Sequence, residues 1–176
     1  MVSGDWPELE SLVIATGVRM LRVNETAAGI AAIIRALPDA ASALPEHPTA
    51  ADISTFGERY AAQVAPLESA TTVLETEMAA IAPGHGRIIE IVTADHDAVG
   101  VAEEYLGGAV SLGAAAGRAA EEFGAFSRSL EQLGRAYPPV KDATDDVTST
   151  TRRAVVALEP AKAWGHRSTE ILSDWD

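Results

Sequence analysis

No cysteine occurs among the 176 residues, which excludes disulfides, thiolate nucleophiles and cysteine-bound metals. Phe, Trp and Tyr together make up 5% of the chain, and strand-favouring runs of aromatic and β-branched residues are missing. Lysine is scarce, two against eleven arginines, and no basic cluster exceeds the pair Arg152-Arg153. With 26 acidic and 13 basic residues the net charge is −13, which argues against non-specific binding to nucleic acid or an anionic lipid surface, since that needs a basic patch. No stretch approaches the roughly 20 apolar residues needed to span a bilayer. The opening "MVSGDWPELE" lacks the basic and apolar regions of a signal peptide. The expectation is a cytoplasmic protein, with signal-less secretion as the alternative.

What is present is alanine, valine, isoleucine and leucine in a 4-3 rhythm, the pattern of helices that pack along a seam. Abundant alanine suits such helices because it loses no side-chain entropy on ordering. The first series runs Val13, Thr16, Met20, Val23, Ala27, Ile30, Ile34, Leu37, with Asp5 as a cap and Pro7 in the first turn. A connection rich in proline, 38–49, follows. The second series runs from Ile53 through Tyr60, Leu67 and Leu74 to Ile81, and Pro83-Gly84 is expected to stop it. A third, from about His85 to Tyr137, is expected to be the longest, at about 1.5 Å per residue roughly 75–80 Å. The fourth runs from Val140 through Leu158 and Gly165 to Trp175. The sequence therefore predicts a single all-α domain over 1–176. Its architecture is an antiparallel bundle of about four long amphipathic, coiled-coil-like helices, approximately 7–37, 50–82, 85–137 and 140–174.

Inside the third series lies "GGAVSLGAAAG", uncharged and holding Gly107, Gly108, Gly113 and Gly117. An internal helical glycine costs about 0.8–1 kcal/mol relative to alanine, so a compensating contact is expected. Close approach of a neighbouring helix is the preferred explanation, and a hinge near Gly107-Gly108 is the second. Entry into a membrane is the weakest, because the uncharged window 105–117 is short and flanked by Glu103, Glu104 and Arg118. Trp164 and Trp175, on the last helix, are candidates for interaction or close packing, with docking of Trp175 onto the protein favoured over an exposed anchor. Asp95, at a seam position, is a candidate buried polar residue that sets register. Its partner would be a threonine such as Thr71, Thr144 or Thr151.

Motifs with catalytic or ligand-binding content are weak. Of the four histidines only His166, with Glu170, has a metal-binding residue at i+3 or i+4 spacing, and one pair makes no site. "PGHGR", 83–87, has the composition of an anion-binding turn, but short glycine-rich joins between helices are commonplace. Adjacent carboxylates such as Glu103-Glu104 diverge on a helix. The expectation is a non-enzymatic interaction protein, without catalytic residues, metal or cofactor, that engages a protein partner or itself through apolar heptad surface. The alternative is a membrane-active or pore-forming bundle that releases 105–117.

Overall fold

The computed structural model describes residues 6–39 and 42–175. The chain is an all-α bundle in which four helices pack against one another, with no strand among the described residues. They are α1 (Trp6–Ala36), α2 (Ala50–Ala94), α3 (Val99–Ala136) and α4 (Pro138–Trp175), and a single 3-10 turn (His96–Ala98) joins α2 to α3. The expected cap Asp5 lies outside the described residues. The 4-3 positions form the core. Val23, Ile30, Leu67, Leu74, Ile81, Ile88, Leu106, Phe123, Val147 and Leu158 are all fully buried or nearly so.

The expected stop at Pro83-Gly84 is corrected. α2 runs through both residues to Ala94, which makes it, at 45 residues, longer than the 38-residue α3. Proline breaks a helix by removing one N–H and crowding the carbonyl four residues back. Pro83 and Ala79 both face outward, so the orphaned carbonyl meets solvent. Pro66 with Ala62, and Pro160 with Val156, are exposed in the same way. The apolar phase is continuous across the site, with Ile81, His85, Ile88 and Val92 all buried. Consequently "PGHGR" is helix and not an anion-binding turn, and Arg87 pairs with Glu8 at 3.1 Å.

The break occurs instead at Asp95. This residue is extended, with φ −133° and ψ 107°, and its carboxylate accepts a hydrogen bond from the Asp97 amide at 3.1 Å. It is a half-buried cap and does not serve as a buried register residue. Nor do the threonines serve as its partners. Thr144 and Thr151 donate to the carbonyls of Val140 and Val147 one turn back, and Thr71 has no partner among the described residues. Replacing Asp95 with Ala should lower stability by about 1 kcal/mol, as loss of a helix cap does, measured by urea unfolding.

The described helices contribute to two compact units. Among the described residues one comprises 6–25, 74–118 and 157–175, the other 26–39, 42–73 and 119–156, so each draws a segment from every helix. In the second unit, Thr49 and Asp52 form a reciprocal capping box: the Thr49 amide donates to Asp52 at 2.8 Å and the Asp52 amide to Thr49 at 3.2 Å. These hydrogen bonds hold the Asp52 carboxyl below its ordinary range. The Tyr60 hydroxyl donates to the Pro38 carbonyl at 2.7 Å, and Tyr137 donates to that of Glu46 at 3.2 Å, so two phenols hold the proline-rich connection. The Tyr60 ring lies between Phe56 and Phe126.

Candidate interaction surface

In the first unit α1 is apolar on two faces. One face carries the expected core positions Thr16, Met20 and Val23, all buried. The other carries Ile14, Val18 and Leu21, which are 68%, 48% and 63% exposed. Their spacing, i, i+4 and i+7, puts the three side chains on one stripe. Scattered exposed apolar residues such as Val73 and Val156 are ordinary, whereas an aligned set beside a concavity is not. The stripe borders a groove of about 450 Å³ between α1 and α3, whose far wall is Glu104, Tyr105, Gly108 and Ser111. Gly108 helps keep the groove open. A Cβ there would sit 3.3 Å from Met20 Cε, which already closes the floor.

Carboxylates bracket the stripe. By helical periodicity Glu10 and Glu25 fall on the same face as Ile14 and Leu21, one beyond each end, and both are exposed. Glu104 is exposed on the groove wall. None of the three has a hydrogen-bond or ion-pair partner among the described residues. The arginines of this part of α1 are engaged elsewhere: Arg19 and Arg22 both reach Glu77, at 2.9 and 3.5 Å. Among its described residues the unit holds 13 acidic and 6 basic residues, against 11 and 7 in the other.

Beneath the groove sits a polar and aromatic cluster. His85 is 4% exposed, its Nδ1 lies 2.8 Å from the Tyr105 hydroxyl, and its ring packs against Trp164 at 5.1 Å between centroids. Desolvation lowers the His85 pKa to about 4, so the imidazole is neutral near pH 7, and burial pushes the Tyr105 phenol upward. The pair therefore acts as a satisfied buried hydrogen bond beneath the groove wall.

The glycines separate into distinct roles. At Gly113 a Cβ would stand 2.9 Å from both the Ala161 carbonyl oxygen and Gly165 Cα, and at Gly165 it would stand 3.0 Å from Gly113 Cα. α3 and α4 touch there through bare backbone. A Cβ at Gly107 would meet nothing within 4 Å, and one at Gly117 only Lys162 Cδ at 3.9 Å, so neither is a close-packing position. α3 is continuous through Gly107-Gly108. Trp164 is half-buried against His85. Trp175, also half-buried, covers Gly100, with its Cζ2 at 3.6 Å from where a Cβ would lie.

The sequence pattern did not single out Ile14, Val18 and Leu21. The signal was a second 4-3 series set one residue after Val13. Periodicity alone cannot say which of two adjacent apolar series the rest of the chain covers. Among the described residues no helix is long and apolar enough to cross a membrane, and no group of three or more His, Asp or Glu is placed to hold a metal. Comparison with protein-family models, with curated proteins and with solved structures returns no match for this chain.

Proposed function

We propose that this chain is a non-enzymatic interaction protein, a scaffold, adaptor or assembly subunit that works through apolar helix surface its own core leaves uncovered. The observation that carries the reading is the exposed stripe Ile14, Val18 and Leu21 beside an open groove. Helix-in-groove recognition uses surfaces of this form, with anchors at i, i+4 and i+7. Release of 105–117 into lipid is the less supported reading. It would withdraw Leu106, Ala109 and Leu112 from burial and separate Gly113 from Gly165, and no helix among the described residues is long and apolar enough to cross a membrane.

A photo-reactive amino acid placed at Leu21, and as a control at the exposed Ala163 on α4, tests the reading in cells that express the protein. The expected result is a discrete adduct, with another protein or a second copy, formed from Leu21 and not from Ala163. Identical patterns from both positions, or no adduct from Leu21, would overturn it.

A further inference from the structure

We infer that the α1–α3 groove takes an amphipathic helix of a partner protein, apolar along one face and carrying lysine or arginine at both ends of that face. The inference rests on the interaction reading above and adds the chemistry of the occupant. Shape and apolar chemistry come from Ile14, Val18 and Leu21, whose 4-3 spacing matches the ridges of a second helix. Charge decides between occupants. Glu10 and Glu25 stand at the two ends of the stripe, about 22 Å apart at 1.5 Å per residue, and Glu104 stands on the facing wall. All three lack a partner among the described residues, while the neighbouring Arg19 and Arg22 are held by Glu77. A second copy of this chain would bring the same carboxylates to the same face, in a unit already rich in acid, and like charges across an interface oppose docking. A helix with cations about four turns apart would pair with them, and would be steered to the groove from a distance. An anionic lipid surface would be repelled by the same carboxylates.

The test measures fluorescence anisotropy with a labelled leucine/lysine peptide of about 18 residues, roughly five helical turns, with leucines at 4-3 spacing and lysines at the ends. A leucine/glutamate peptide with the same leucine positions and a scrambled leucine/lysine peptide are the controls. Two variants accompany the wild type, Ile14→Ser with Leu21→Ser, and Glu10→Gln with Glu25→Gln and Glu104→Gln. All five positions are exposed, so both variants keep the fold, which circular dichroism checks. The wild type should bind the patterned lysine peptide at least about tenfold more tightly than either control. Each variant should weaken it about tenfold, and the glutamine variant should also flatten the salt dependence. Equal binding of the scrambled peptide, or unchanged binding by either variant, would overturn the inference. Sedimentation equilibrium separates this failure from a failure of the broader reading. A wild-type dimer that the serine variant dissolves, with no peptide bound, removes the basic helix and leaves an interaction protein. A monomer with neither peptide binding nor a Leu21 adduct removes both.

Discussion

Alanine at position 113 should destabilise the protein, although alanine is the better helix former. Propensity alone favours Gly113→Ala by about 0.8–1 kcal/mol. Against it, the new methyl would lie 2.9 Å from the Ala161 carbonyl oxygen and 2.9 Å from Gly165 Cα, both backbone atoms with no rotamer to move. α4 must then shift away from α3, and overpacking of this kind costs about 1–3 kcal/mol. Gly113→Val should cost more and should broaden or abolish cooperative unfolding. Gly107→Ala is the matched control. Its Cβ meets nothing within 4 Å, so the same substitution six residues earlier should stabilise by about 0.5–1 kcal/mol. Urea unfolding of the two variants should therefore give midpoints displaced in opposite directions. The double variant Gly113→Ala with Gly165→Ala should cost less than the sum of its parts, because either methyl already parts the helices.

Acidification should weaken the fold through His85 well before most carboxylates titrate. Its folded pKa is about 4, against about 6.5 for an unperturbed histidine, because burial disfavours the imidazolium. Between these values the unfolded chain binds a proton that the folded chain does not, so stability falls as pH falls. The contribution is fully present above about pH 6.5, declines toward pH 4, and no longer changes below it. The full difference amounts to about 3 kcal/mol. Measured by urea unfolding at pH 7, 6, 5 and 4, the wild type should lose this much more stability than His85→Gln. Glutamine can keep a hydrogen bond to the Tyr105 hydroxyl but does not titrate. Parallel curves for the two proteins would show that His85 is already solvated when folded.

These two residues also show how far the sequence could be read. Gly113 and Gly165 both fall on seam positions in their own helices, yet composition grouped Gly113 with Gly107, Gly108 and Gly117, of which Gly107 and Gly117 are not closely packed. That the two seam glycines meet each other is a relation between helices, which neither helix's own pattern contains. His85 lies in phase with Ile81 and Ile88, yet a proline and two glycines beside it read as a stop, and composition outweighed phase. At Asp95 the reverse holds. The phase runs straight on from Val92 to Val99, and only the cap chemistry of Asp95 toward the Asp97 amide marks the break. Apolar rhythm thus locates the core and is silent about where a helix ends. The stripe Ile14, Val18 and Leu21 was hidden for a related reason, since two neighbouring series on α1 look equally apolar until the other helices have covered one of them.

The contact between α3 and α4 at Ala109, Gly113, Ala161 and Gly165 has a consequence in entropy. Ordering a buried leucine costs about 0.5–1 kcal/mol in lost rotamers, and ordering glycine or alanine costs none. This part of the seam therefore closes without freezing a single side-chain torsion, and what is lost on folding is backbone freedom that each helix has already surrendered. It also holds no alternative rotamers through which strain could be absorbed, so the two helices at this point have only two states open to them, touching or apart.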